Sequence, residues 1–394
     1  MASRAVFIVA AKRTAFGTFG GKLKNKTATD LCEIAAAGAL HAGNVHAEAV
    51  DSVIVGNVCA SAADGAYISR HVGTRIGVPI SSPALTVNRL CGSGFQAIIN
   101  GAHEILLNES QVVLCGGSEN MSQAPYALRN MRFGTQLGVD YKLEDTLWGT
   151  LTDWQIKTPM GMTAENLADR HGITRAECDA VALRSQLRWA EAAELRKFDD
   201  EIVPVRLEGK KGEELFERDE HPRQTTMQAL EKLPPVFKKG GTVTAGNASG
   251  ICDGAAAVVL ASEEAVKTHN LTPLARLAGY HVSGCDPHIM GIGPVPAIEG
   301  LLKKTGMKLA DMGLIEVNEA FAAQYLAVER ELGLHVDITN VNGGAIALGH
   351  PVGASGTRIT THLVYEMRRR KTKHSIGSAC IGGGQGIALL LEGV

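Results

Sequence analysis

The sequence predicts an α/β protein built from two similar halves, with a large insertion in the first. Three observations carry this prediction. Apolar, β-prone runs alternate with segments of helical spacing along most of the chain. The plan of the first third recurs, in the same order, in the last. And 45 glycines beside only 5% aromatic residues point to closely packed layers joined by many tight turns. A chain of 394 residues, 45% of them hydrophobic, can bury a large core and form two or three domain-sized units.

Taken in order, residues 5–10 read as a strand. A helix over 30–41 follows, and the stretch Thr27, Ala28, Thr29, Asp30 offers N-cap residues at its start. Residues 50–57 read as a strand, 67–76 as a short helix, and 84–87 as a strand. Residues 96–106 predict a helix with Ala97, Ile98, Ala102, Ile105 and Leu106 at helical spacing. QVVLC, 111–115, is the next strand, and GGSENMS follows it.

The repeat rests on three matches. DSVIVGN at 51–57 resembles GLIEVNE at 313–319, LTVN at 85–88 resembles ITNVN at 338–342, and VVLCGGSEN at 112–120 resembles IGSACIGGGQG at 376–386. In the second copy, CIGGGQG runs straight into IALLLEG, a strand–turn–strand. The matching second strand of the first copy is AAAVVLAS, 255–262, far beyond Cys115. The intervening residues therefore read as an insertion between two neighbouring strands, a place where function often sits. The expected units are 1–120 with 250–271, an inserted unit 121–249, and 272–394. Inside the insertion, 164–171 and 175–193 are the clearest helices, and Thr174 to Glu177 resembles a capping box. Residues 208–223 are dense in charge and are expected to form a solvated face.

Composition excludes several classes. A net charge of −2 gives no basis for nucleic-acid binding or a general anion-binding surface. The eight cysteines are scattered with no CxxC pair, so no metal site is expected and free thiols in a reducing compartment are. No secretory signal or transmembrane span is visible. MASRAVFIVAAKRTAFG, 1–17, runs into the first strand and leaves open whether a targeting segment was removed or lies here uncleaved.

Four stretches carry candidate chemistry. In PALTVNRLCGSGFQAIINGAHEIL, 83–106, Cys91 lies on a glycine-rich turn between a strand and a helix. Helix N-termini supply unpaired N–H groups and positive potential, which lower a thiol's pKa. A lone cysteine there is more often a small apolar residue; the other three stretches outweigh that reading. In GLIEVNEAFAAQ, 313–324, Asn318 lies where a strand gives way to a helix and could hold a water or cap the helix. In NVNGGAIALGHPVGASGTR, 340–358, His350 sits among glycines, a placement suited to proton transfer or carbonyl polarisation. In GSACIGGGQG, 377–386, Cys380 precedes three glycines. Their spacing is not G-x-G-x-x-G and a strand follows, so dinucleotide binding is disfavoured. The N–H groups of 382–384 suit a developing oxyanion instead. Two thiols and a histidine allow one cysteine to be acylated while the other moves a proton next to a carbonyl, as cleavage of a β-keto thioester requires.

NRLCGSGFQA, GTVTAGNASGICDGAAAV, VNEAFAAQ, GGAIALGHPVGASG and CIGGGQG together resemble the thiolase family, in family order and across essentially the whole chain. LPPVFKKGGTVTAGNASG and VSGCDPHIMGIGPVPAI look most like the mitochondrial 3-ketoacyl-CoA branch of β-oxidation. The resemblance implies a five-layered αβαβα fold and a loop domain, and a mitochondrial matrix location. It implies no cofactor, coenzyme A being a substrate, and a homodimer or homotetramer, with the segment near 121–148 as a candidate tetramer contact. By the same resemblance Cys91 is the nucleophile, Cys380 the acid/base, and His350 activates Cys91 and helps bind a thioester oxygen. Asn318 holds a water in that oxyanion site, and the N–H groups of Cys91 and Gly382 form a second one. Arg223, Thr225 and Ser249 contact coenzyme A. Met160 and Phe237 line the pantetheine tunnel, with Ala320 and Phe321 also at the substrate.

The implied activity is CoA-dependent cleavage of 3-ketoacyl-CoA, with reversible condensation and a possible hydrolase side activity. A short-chain acetoacetyl-CoA thiolase is the alternative. Pro159–Met160–Gly161 weighs against it, because biosynthetic enzymes usually carry histidine where this chain has proline. A ketoacyl synthase is disfavoured by Cys380, where that relative usually has histidine. A non-catalytic acyl-CoA carrier would be expected to lack Cys91, His350 or Cys380.

Overall fold

The computed structural model describes residues 4–209 and 212–394. The first half runs β1 (Val6–Thr14), α1 (Ala28–Ala42), β2 (Ser52–Gly56), α2 (Ile68–Arg75), β3 (Ala84–Val87), α3 (Ser93–Leu107) and β4 (Val112–Asn120). The chain between β4 and the next strand of this sheet carries α4 (Met160–His171) and α5 (Arg175–Glu194). It then returns as β5 (Cys252–Ser262), which pairs antiparallel with β4 over nine residues, from Asp253–Asn120 to Ala261–Val112. The second half runs β6 (Ala275–Gly284), α6 (Pro294–Thr305), β7 (Leu314–Val317), α7 (Ala322–Leu332), α8 (Ser355–Arg370), β8 (His374–Ile381) and β9 (Gln385–Glu392). No helix among the described residues is long and apolar enough to cross a membrane.

Hydrogen bonding orders the strands β7-β8-β9-β6-β1-β5-β4-β2-β3. The halves meet where Phe7 faces Arg276 and Ile8 faces Ala275. Alternation along each strand assigns its two faces. Val112 and Leu114 join α1 in an outer core, whereas Val113 and Cys115 join α3 and α8 in a central one. In the second half Ile387 and Leu389 face the same central core, and Ala388 and Leu390 face an outer core with α6 and α7. The result is helix, sheet, helix, sheet, helix: the five layers expected. At the centre, α3 and α8 touch backbone to backbone at their N-terminal turns. A Cβ on Gly94 would lie 2.5 Å from the Thr357 nitrogen, and one on Gly356 would lie 2.3 Å from that of Phe95. The second glycine of CGSG and of GASG is thus required by helix contact, and that contact brings the two loops before these helices together.

Local signals formed as expected. Asp30 N–H donates to Thr27 Oγ1 while Thr27 N–H donates back to Asp30 Oδ2, and Thr174 with Glu177 caps α5 the same way. Three expectations need correction. ITNVN at 338–342 lies where β3 does, Thr339 facing Ile315 in parallel as Ala84 faces Val53, but it makes an isolated bridge and not a full strand. Leu106 is exposed, because Phe95, Ile98, Ala102 and Ile105 fill the buried stripe of α3. The charged run 208–223, of which Lys210 and Lys211 lie outside the described residues, is not wholly solvated. Asp219 is buried and takes both Nη1 and Nη2 of the buried Arg13, at 2.7 and 3.0 Å. A charge on a polar run went inside because an ion partner waited there.

Candidate active site

The chemistry converges where β3, β7 and β8 end, the carboxyl ends of parallel-paired strands. Between β3 and α3 the chain turns through Leu90, whose φ of 46° is unusual for a residue with a bulky side chain. Ser93 Oγ holds the turn: it accepts from the Arg89 N–H at 2.9 Å and donates to the Leu90 carbonyl at 2.7 Å. Cys91 sits on this turn, partly exposed. The expectation of a lowered thiol pKa is overturned. Burial pushes the thiol up to about 11, and the charge of Glu119 acts in the same direction. The N–H groups of Gly382 and of Cys91 itself oppose the rise without cancelling it.

Cys380, next to last in β8, is fully buried and pairs with Gly386 of β9. Burial pushes its thiol well above the ordinary range, and Cys91 and Cys285 add to the rise. It packs with Met290 and Ala320, and with Met160 and Phe321 beside them. His350 is buried; its N–H donates to the Gly250 carbonyl at 2.9 Å, and Nδ1 lies 2.6 Å from Ser355 Oγ. Ser355 Oγ also donates to the Pro351 carbonyl at 3.1 Å. With that hydroxyl hydrogen so used, Nδ1 keeps its own and Nε2 is left to accept. Asn318 Nδ2 is 3.5 Å from Nε2, and Asn318 Oδ1 is buried with no protein partner among the described residues. Burial first, then the charge of Arg358, pushes the imidazole down to about 4, so His350 is neutral at physiological pH.

A cavity of about 180 Å³ joins these groups. Cys91, His350, Ser249, Met160, Phe237, Ala320 and Phe321 line it. The Ser249 N–H donates to the Ala320 carbonyl at 2.9 Å, and the rings of Phe237 and Phe321 meet edge to face at 6.4 Å. Gly161 admits the Phe237 ring, since a Cβ there would lie 2.1 Å from it. Cys380 and Asn318 adjoin the cavity through Ala320 and His350 respectively. Gly382 lines the next cleft with Leu90 and Met160. Arg223 and Thr225 are not brought to the lining. Arg223 is exposed, and its N–H donates to Gln186 Oε1 at 2.9 Å. Sequence reasoning missed Met121, Trp148, Leu151, Met290 and Val352, all in the wall. Met121 stood within GGSENMS, Met290 within VSGCDPHIMGIGPVPAI and Val352 within GGAIALGHPVGASG, motifs seen without a role for these residues; Trp148 stood in the segment expected as a tetramer contact, and Leu151 carries no local signal.

Two family models, "Thiolase, N-terminal domain" over residues 6–264 and "Thiolase, C-terminal domain" over 271–393, match nearly the whole chain. The chain belongs to the thiolase family. This thiolase is 65% identical over 390 residues to the mitochondrial 3-ketoacyl-CoA thiolase of Homo sapiens, covering 99% of this chain and 98% of that protein. Its fold matches a crystal structure of the human mitochondrial enzyme with a TM-score of 0.99 at 64% identity, over 100% of both chains. The same comparison with the human enzyme in complex with CoA gives 0.97 at 64% identity, over 99% of this chain and 98% of that one. An acetyl-CoA acetyltransferase of Pseudomonas aeruginosa is more distant, 48% identical over 98% of each chain.

Proposed function

We propose that this thiolase is a 3-ketoacyl-CoA thiolase, an acyltransferase that cleaves 3-ketoacyl-CoA with free CoA to acetyl-CoA and a shortened acyl-CoA. The observation that carries the reading is the pairing of two thiols, Cys91 and Cys380, with a neutral histidine around one apolar cavity. Cys91 gives its proton to His350 Nε2 and its sulfur adds to the C3 carbonyl carbon. The oxygen takes the electron pair and is met by the N–H groups of Cys91 and Gly382. As the carbonyl re-forms, the C2–C3 bond breaks and its electrons pass into the enolate of acetyl-CoA. His350 and a water on Asn318 hold the enolate oxygen; the buried Oδ1 of Asn318, without a partner among the described residues, supports that role. Cys380 delivers its proton to C2, and its raised pKa suits an acid that must stay protonated until then. CoA–SH then enters, returns a proton to Cys380, and attacks the acyl–Cys91 thioester. Cys91 leaves as a thiolate and recovers its proton from His350.

In this reading residues 121–249 form the loop domain between the thiolase halves 1–120 with 250–271 and 272–394. Ser249, Arg223 and Thr225 hold coenzyme A, and Met160 and Phe237 guide the pantetheine arm. Coenzyme A is a substrate and no cofactor takes part. The enzyme works in the mitochondrial matrix, a reading supported by its similarity to the mitochondrial enzyme of Homo sapiens, and as a homodimer or homotetramer. The short-chain alternative is not favoured, since the acetyl-CoA acetyltransferase is the more distant relative. The test is incubation with acetoacetyl-CoA with and without free CoA. Loss of the enolate absorbance only when CoA is present is expected; equal loss without CoA would make the protein a hydrolase.

A further inference from the structure

Glu119, next to last in β4, is fully buried, and no cation is among its hydrogen-bond partners in the described residues. It is instead held by N–H groups from two directions. Oε1 accepts from Cys59 N–H at 3.0 Å and Asn57 Nδ2 at 3.2 Å; Oε2 accepts from Val58 N–H at 3.1 Å and Gly353 N–H at 3.0 Å. The first three donors lie on the loop after β2. The fourth belongs to the second half, on the loop that carries His350. That loop presses closely on the first half. A Cβ on Gly117 would lie 2.3 Å from the Gly353 oxygen, and one on Gly94, just after the Cys91 turn, 3.1 Å from it. Cys59 and Cys91 also pack against one small cluster of Met121, Leu147 and Val352.

We propose that Glu119 is a positioning residue. Its carboxylate clamps the His350 loop of one half to the loops around Cys91 in the other, and so sets the geometry in which thiol and imidazole meet the substrate. The inference rests on the thiolase cycle proposed above. The clamp needs a carboxylate, because both oxygens must accept. A carboxamide satisfies one pair of donors and turns an NH₂ against the other. Glu119 also acts electrostatically. Its charge raises the Cys91 thiol, and its own carboxyl, facing the thiols of Cys59 and Cys91, is pushed up to about 7 by burial against the pull of its N–H donors.

The test compares Glu119→Gln and Glu119→Asp with the native enzyme. Measured are thermal unfolding, kcat and KM for acetoacetyl-CoA cleavage, and the pH profile of iodoacetamide alkylation at Cys91. Activity of the native enzyme tests the thiolase cycle separately, and alkylation needs no turnover. Both variants are expected to lose kcat by on the order of 10²-fold with KM for CoA little changed, the effect of a misplaced reacting group. The Gln variant, having lost the charge, should also shift the alkylation profile to lower pH, and the Asp variant should not. Native kcat per alkylatable Cys91 in both folded variants overturns the proposal, as does a rise in KM alone. Should neither variant fold, Gly353→Ala strains the same contact from the other side, since its Cβ would lie 3.0 Å from Glu119 Oε2 and 2.7 Å from the Ser118 oxygen. Loss of kcat is expected there too, and native kcat counts against the clamp.

Discussion

Ser118 and Cys380 occupy matching places in the two halves. Ser52 faces Val113 across a parallel pair in one half, and Leu314 faces Ser375 in the other. Followed along those registers, β4 reaches Ser118 where β8 reaches Cys380. Both side chains point to the outer face of their sheet, and each strand has an antiparallel neighbour there, Ala255 opposite Ser118 and Gly386 opposite Cys380. What differs is the cover. Over Ser118 lies the start of α1, and the hydroxyl donates to the Ala28 carbonyl at 2.6 Å. Over Cys380 lie Met160 and Phe321, which also line the cavity. Two matching strand ends received different covers: α1 seals one, and the other lies fully buried directly beneath two residues of the cavity wall.

The largest effect should come from Cys91, the thiol that lines the cavity itself. Cys91→Ala is expected to abolish acyl-enzyme formation while leaving CoA binding largely intact. Mass spectrometry after mixing with acetyl-CoA should show one acetyl adduct on the native chain and none on the variant. An adduct that persisted would move the nucleophile to another residue.

Cys380→Ser tests the outer-face position directly. Serine keeps a similar size but is a far weaker acid and its conjugate base is not available near neutral pH. Cleavage of acetoacetyl-CoA should fall by on the order of two to four decades if proton transfer is the only defect. Acetyl exchange between acetyl-CoA and labelled CoA should survive better, because it makes no carbanion. An equal fall in both would mean that Cys380 supports Cys91 or the fold, not the proton at C2.

A smaller, graded effect concerns Cys91 in the free enzyme. With the thiol at about 11, its alkylation should rise by about tenfold per pH unit through neutral and mildly alkaline pH, as the thiolate fraction does. His350, at about 4, should add no inflection near neutrality. A plateau near neutral pH would mean a preformed thiolate, and would restore the helix-terminus expectation that burial overturned.

The smallest effect is the control. Ser118→Cys puts a thiol at the sealed position and breaks one buried hydrogen bond, which should lower stability by about 1 kcal/mol in a denaturant titration. Turnover and the number of acyl adducts should not change. A second adduct would show that the strand end itself, not its cover, confers reactivity.

The strand–helix order, the repeat and the two capping boxes were legible because each is written in residues close in sequence: alternation in β4, Thr27 with Asp30, Thr174 with Glu177. The reactive stretches were legible too, since glycines beside Cys91, His350 and Cys380 mark turns that a helix contact or a substrate requires. Sequence by itself therefore determined the element types, the duplicated plan and which side chains are candidates for the chemistry. Tertiary structure alone decided their surroundings. Whether the Cys91 thiol rises or falls, whether Asp219 is wet or dry, which of Ser118 and Cys380 lies beneath a cavity wall, and which residues hold Glu119 all depend on segments far apart in the chain. Solvation and low-dielectric electrostatics are set by everything packed around a group, and neighbours in space leave no mark on neighbours in sequence.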